Sequence, residues 1–241
     1  MKILQFQKDS DEWLEARNTV ISGTKVKEVK PPTRKVKTGL QTIGFWGLIA
    51  EYLSYGVEEE SPMVRGTHLE DENAQLAIEK LHLKNGKYNV GALWQTDDGL
   101  LGYSPDAFED TEKPKWAIEC KSLKTAEHIY LIATDLTAKN KLPGQVAVQC
   151  PYKGKDYRGI DFVADEHRLQ IIQAFVVNPE LETVYYSLYD PRVFVEGLRH
   201  YVITVKRSEM EDIIAEQKEM VERQAKLARD IAKCLVNLKG E

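Results

Sequence analysis

The sequence predicts an α/β (α+β) domain: a central mixed β-sheet flanked by helices, followed by a long C-terminal helix. Three observations predict it. Residues 10–82 carry mostly helical spacing of apolar side chains, residues 88–123 shift to strand-like alternation with turn residues between, and helical spacing returns from residue 208. A chain of 241 residues is long enough to bury a core without disulfides or metals. Its 42% hydrophobic and 29% charged residues exclude a disordered or fibrous chain. We expect one domain over residues 1–207 and a C-terminal helix over 208–241.

The elements follow in order. Asp9 with Glu12 makes a capping pair for a short helix from Ser10 to Asn18. Further helices are expected at about Thr38–Tyr55 and Met63–His82. Residues 88–96 read as extended, Asp97-Asp98-Gly99 as a turn, and Leu100–Tyr103 as a second strand. Residues 115–123 alternate clearly, which places Trp116, Ile118 and Cys120 on one face and Ala117, Glu119 and Lys121 on the other. Leu169–Val177 and Thr183–Tyr189 read as a hairpin across Asn178-Pro179, with a last strand near Tyr201–Val205. In the final helix Ser208 and Glu211 form a capping box. Met210, Ile213, Ile214, Met220, Leu227, Ile231, Leu235 and Leu238 make one apolar stripe, packed on its own domain or at a subunit or partner contact.

Charge and motifs exclude several chemistries. A net charge of −5 rules out a surface basic all round, though residues 25–37 hold six Lys or Arg around Pro31-Pro32. That run is either a solvated loop or a basic arm held near phosphates. No apolar run is long enough to span a membrane, and the N-terminus lacks the apolar core of a signal peptide. Three cysteines, odd in number and without CxxC, suggest a reducing cytoplasm. GxxxxGK[ST], GxGxxG and GxSxG are absent. The five histidines (His68, His82, His128, His167, His200) lack zinc-ligand spacing. His68, on the Met63–His82 helix, reads as structural.

The informative segment is Ser104-Pro105-Asp106, then twelve residues, then Glu119-Cys120-Lys121. The turn formers between them can fold the chain back, bringing Asp106 beside Glu119. Converging carboxylates gather a hard cation such as Mg²⁺, which lowers the pKa of bound water and offsets charge in phosphoryl transfer. An adjacent lysine orients water or stabilises the developing charge. A surface ion pair between Glu119 and Lys121, worth about 0–1 kcal/mol, is the competing reading.

Asp106…Glu119-Cys120-Lys121 resembles the D…E-x-K signature of the PD-(D/E)xK nuclease superfamily, including the proline before the aspartate. More of the chain resembles one branch, the phage lambda-type exonucleases or YqaJ-like viral recombinases. Trp13–Arg17 with Ile21-Ser22-Gly23-Thr24 resembles the W-x-x-x-R element and the (T/S)-(A/G)-S turn after it. Arg65-Gly66 through Glu70 resembles the (R/W)-G-x-x-x-E helix. Gly144-Gln145-Val146 resembles the A-Q-V-Q helix, and Tyr189-Asp190-Pro191-Arg192 a further family turn. The order and spacing agree from about Asp9 to Arg192.

The resemblance implies a restriction-endonuclease-like core and these roles. Asp106, Glu119 and Glu70 are metal ligands, with the Cys120 backbone carbonyl as a further one, and Lys121 is the catalytic lysine. Arg17 binds a 5′-phosphate, which suits a guanidinium fork; without the family it reads as a helix-end salt bridge with Asp11 or Glu12. Ser22, Thr24 and Gln145 line the same pocket. Thr24 stands where the family has serine, and Val146-Ala147 loses the second glutamine. Residues 153–168 have no recognisable counterpart.

The expected activity is a DNA exonuclease dependent on Mg²⁺ (Mn²⁺ as substitute), with two ions. It would act 5′→3′ on linear duplex and leave 3′ single strands for phage-type recombination. The resemblance further implies a homotrimeric ring, a single-strand annealing protein as partner, no membrane, and a bacterial cytoplasm as setting. An endonuclease or repair nuclease of the same superfamily is the first alternative; a DNA-end-binding or annealing-protein-docking module is the second.

Overall fold

A computed structural model describes residues 1–8, 10, 12, 13, 16, 23, 62–142 and 156–237. The helix expected at 38–55, the basic run 25–37, and Arg17, Ser22, Thr24 and Gln145 lie outside the described residues.

Two sheets form the frame. The smaller orders β1 (Lys2–Gln5), β3 (Ala92–Gln95) and β4 (Gly102–Tyr103), all antiparallel. The larger runs β2 (Gly86–Tyr88), β5 (Ala107–Glu109), β6 (Trp116–Lys121), β7 (Thr183–Tyr189) and β8 (His200–Lys206). Among the described strands only β6 and β7 pair in parallel, so the sheet is mixed, as the sequence predicts. The helices are α1 (Pro62–Lys80), α2 (Thr125–Ala138), α3 (Asp165–Val177), the short α4 (Glu196–Arg199) and α5 (Glu211–Asn237).

β6 is covered on both faces. Trp116, Ile118 and Cys120 pack against Ala74 and Ala77 of α1, whose small side chains let the helix approach closely. Ala117, on the other face, joins the main core with Ile171, Ala174 and Phe175 of α3. The alternation is therefore right, but helices close both sides, as a parallel β6–β7 pair requires.

Several elements differ from the sequence reading. Leu169–Val177 is not a strand but most of α3. Ile171 through Val177 are all buried, so that half of the helix shows no polar stripe and resembles a buried strand. Asn178 ends that helix, its N–H donating to Ala174 O, and no hairpin forms. The expected strand 88–96 breaks at Asn89–Gly91. Gly91 has φ +116°, and a Cβ there would lie 1.8 Å from Phe6 O, so only glycine admits the β1–β3 contact. Helix α2 and strands β1 and β5 were not anticipated. Glu12, Trp13 and Ala16 are helical, but the first turn is capped by the Ser10 hydroxyl, which accepts from Trp13 N at 3.2 Å. The final helix begins at Glu211 after a 3-10 turn over Arg207–Glu209, so Ser208 does not cap it. Met210, Ile214, Val221 and Ala225 are buried, whereas Leu227 is exposed. Among the described residues no helix is long and apolar enough to cross a membrane.

Candidate active site

β6 ends in a cleft of about 560 Å³ between α1 and α3. Asp106, Glu119, Cys120, Lys121 and Glu70 all line it, with Lys8, Trp13, Asn73, His167 and Gln170.

Asp106 stands between β4 and β5, where Pro105 keeps the chain extended. Its backbone is pinned on both sides: Asp106 N donates to Ile118 O at 3.1 Å, and Asn89 N donates to Asp106 O at 2.8 Å. Its side chain then meets β6 directly, Oδ2 accepting from Cys120 N at 2.7 Å. The turn-rich segment after β5 does fold the chain back, pairing Ala107 with Ile118.

Glu119 and Lys121 project from the same face of β6, as period two demands. Lys121 Nζ reaches Glu119 Oε1 at 2.5 Å. The Glu119 side chain is 2% exposed and that of Lys121 18%, which rules out the surface-pair reading. Glu119 Oε1 also accepts from Gln170 Nε2 of α3, and Oε2 accepts from the Tyr103 hydroxyl at 2.6 Å.

Glu70 comes from α1, one turn before Asn73 on the same face. Asn73 fixes that face: its Nδ2 donates to Ser187 O at 3.1 Å, and the Ser187 hydroxyl donates to Asn73 Oδ1 at 2.7 Å. Glu70 Oε1 pairs with Lys8 Nζ at 2.6 Å. The segment leaving β6 is held by Arg65, which donates to Leu123 O at 2.5 Å, and by Ser122, which donates to Tyr189 O at 3.1 Å. Beyond it, Thr125 and Arg192 both donate to the buried Asp190 carboxylate, at 2.6 and 2.7 Å. The Tyr189–Arg192 turn thus braces the chain that follows β6.

Electrostatics set the protonation states. Burial pushes the Asp106 carboxyl well above the usual carboxylate range, and the neighbouring Glu119 and Glu70 push it further. Burial alone would lower the Lys121 ammonium. The Glu119 and Asp106 carboxylates more than offset that, holding it above its ordinary value and charged at neutral pH. Burial, then Glu119, raises the Tyr103 phenol well above its ordinary value, so it stays a donor.

As the side chains stand, no three His, Cys, Asp or Glu side chains among the described residues converge into a ready cage for a cation. Glu119 is turned to Tyr103, Gln170 and Lys121, Glu70 to Lys8, and Asp106 to the Cys120 amide. The donor chemistry nevertheless fits a hard divalent ion: Glu70, Asp106 and Glu119 share one cleft with Glu166, and the ammoniums of Lys8 and Lys121 answer their charge.

The structure brings together Asp106, Glu119, Lys121, Cys120 and Glu70, and leaves His68 exposed and outside the cleft. Gly23, the one described residue of the Ile21–Thr24 stretch, lies against the site. A Cβ on it would sit 2.7 Å from Gln170 Cγ and 3.3 Å from the Tyr103 ring. The sequence reading missed Lys8, Tyr103 and Gln170. Gln170 was hidden by the strand assignment of Leu169–Val177; helical spacing there would have placed Glu166, His167 and Gln170 on one face. Tyr103 and Lys8 carried no signal of their own.

Comparison with known proteins agrees with this architecture. The YqaJ-like viral recombinase domain matches residues 12–153. An alkaline exonuclease from Laribacter hongkongensis (LHK-Exo) superposes with a TM-score of 0.53 at 19% identity, over 94% of this chain and 100% of that one. The same enzyme in complex with dAMP gives 0.51 at 18%, over the same 94% and 100%. No curated protein matches the chain in sequence.

Proposed function

The chain belongs to the YqaJ-like viral recombinase family, and from that premise we propose that it is a metal-dependent DNA exonuclease acting 5′→3′ on linear duplex. One observation carries the proposal: Asp106, Glu119, Glu70 and Lys121, separated by up to 51 positions in sequence, line a single cleft. A binding module has no use for three carboxylates beside a phosphate, since they repel it.

Asp106, Glu119, Glu70 and the Cys120 carbonyl would hold Mg²⁺ (or Mn²⁺), in our reading two ions. The metal supplies a water of lowered pKa and a counter-charge for the phosphoryl transition state. The chain's own residues do the rest. Lys121, charged because Glu119 and Asp106 hold it so, is no proton acceptor at neutral pH. It donates hydrogen bonds to the attacking water or to the phosphate oxygen that gains charge. Lys8 brings a second positive charge to the rim of the cleft, where a phosphate backbone would pass.

Arg17, Ser22, Thr24 and Gln145 are proposed to hold the terminal 5′-phosphate. Gly23, the sequence neighbour of Ser22 and Thr24, lies against Gln170 and Tyr103, and that supports this reading. Digestion would leave 3′ single strands for recombination with an annealing protein, from a homotrimeric ring, in the bacterial cytoplasm. A ring reconciles an acidic chain with a DNA substrate, because basic residues can line the channel.

The test is a two-by-two comparison of initial rates: wild type and Arg17→Ala, on duplexes ending in 5′-phosphate or 5′-hydroxyl. A bond to a charged group contributes roughly 1.5–3 kcal/mol, so Arg17→Ala should slow the phosphorylated substrate about tenfold or more. The hydroxyl substrate should be nearly unaffected. Equal losses on both would show that Arg17 serves general attraction or folding.

A further inference from the structure

Glu119 is unusual among the cleft carboxylates because its two oxygens face different surroundings. Oε1 accepts from Lys121 and Gln170, and both of these line the cleft. Oε2 accepts, among the described residues, only from Tyr103 at 2.6 Å, and Tyr103 lies behind the cleft wall at 1% exposure.

The two sets of donors also differ in freedom. Lys121 sits on a four-carbon stem and Gln170 is half-buried on the rim, so both can swing away. Tyr103 cannot. It belongs to β4, opposite Trp94 of β3, and the two rings pack with centroids 5.8 Å apart. Gly23 closes its other side.

We infer that Tyr103 is a positioning residue: its hydroxyl permanently occupies Oε2 of Glu119 and so presents Oε1 alone to the cleft. This rests on the proposed reading of Glu119 as a metal ligand. A carboxylate anchored at one oxygen loses little rotational freedom on binding a cation at the other, and it cannot flip to chelate through both. Such outer hydrogen bonds typically govern metal affinity by 10–100-fold. Tyr103 touches neither substrate nor reacting atoms, so its effect passes entirely through Glu119.

The experiment titrates Mn²⁺ calorimetrically, without DNA, into the wild-type chain and into Tyr103→Phe. Phenylalanine keeps the ring packing and removes only the hydroxyl. Mn²⁺ should bind the variant about 10–100-fold more weakly. The Mg²⁺ concentration that half-saturates digestion should rise by the same factor, while the rate at saturating Mg²⁺ stays within about threefold of wild type. Gly23→Ala approaches the same donors from outside and should weaken Mn²⁺ binding several-fold; it carries the test if Tyr103→Phe does not fold. Mn²⁺ affinity within about twofold of wild type, whatever happens to the melting temperature, would reduce Tyr103 to a structural residue and overturn the inference. A wild type that binds no divalent ion and digests no DNA would instead overturn the nuclease reading beneath it.

Discussion

Replacing Lys121 with methionine removes one charge while keeping the apolar stem, and two separate quantities should respond. The first is stability. Lys121 and Glu119 meet at 2.5 Å with side chains 18% and 2% exposed, so removal leaves a buried carboxylate short of a partner. Breaking a buried pair from one side typically costs about 3–5 kcal/mol. Here Tyr103 and Gln170 still donate to Glu119. Loss of one charge-assisted hydrogen bond, about 1.5–3 kcal/mol, is therefore the better guide, and we expect about 2 kcal/mol. The second quantity is the chemical step. Removing one preorganised donor from a developing oxyanion costs about 100–1,000-fold, or about 3–4 kcal/mol of barrier. Denaturant unfolding of the metal-free proteins measures the first; single-turnover digestion of linear duplex at saturating Mg²⁺ measures the second. A double-mutant cycle with Glu119→Gln separates pairing from packing, because Lys121→Met should cost under about 1 kcal/mol when Glu119 is already neutral. Unchanged stability together with activity within tenfold of wild type would refute both the buried pair and the lysine's role.

Two further outcomes follow from the same electrostatics. Asp106→Asn keeps an acceptor for the Cys120 amide but removes a charge that burial, Glu119 and Glu70 all oppose; calorimetry should show metal affinity collapsing while the metal-free melting temperature rises, and unchanged metal binding would make Asp106 an ordinary turn residue. His200 accounts for part of the acid sensitivity. Burial, then the Lys80 charge, pushes it down to about 4, so the folded state keeps it neutral while the unfolded chain takes up a proton near pH 6.5. Its contribution is thus present above the unfolded value and is lost as pH falls from there towards 4. Between pH 7 and 5 the loss is about 2 kcal/mol. His200→Gln, which can still donate to the Ser187 hydroxyl, should lose that much less over the same interval in denaturant titrations; an identical pH profile would show His200 to be unshifted.

Much of the site was legible before the fold was known, because its chemistry lies in short stretches with fixed geometry. Strand periodicity alone puts Glu119 and Lys121 on one face, and Pro105 with the turn-rich loop brings Asp106 alongside. The long-range partners were not legible. Tyr103, on β4 of the smaller sheet, reaches Glu119 on β6 of the larger one, and Lys8 reaches Glu70 across 62 positions. Gln170 was concealed by the run that follows it in α3: Ile171–Val177 are buried on every side and carry no periodic mark distinguishing them from a strand. The Asn178-Pro179 pair reinforced the error by resembling a hairpin turn while acting as a helix stop. At the C-terminus the apolar stripe foretold α5, but Gln217 takes a buried stripe position, donating to Leu169 O at 2.9 Å, and Leu227 is exposed.

The decisive measurement is nucleotide release from an end-labelled linear duplex beside the same sequence as a covalently closed circle, with Mg²⁺ or with chelator, for wild type and Glu119→Gln. Nucleotides should appear only from the linear duplex, only with Mg²⁺, and at a rate that falls at least about 100-fold in Glu119→Gln. Cleavage of the closed circle at a comparable rate, or digestion of the linear duplex by Glu119→Gln as fast as by wild type, would contradict an exonuclease site built on this cleft.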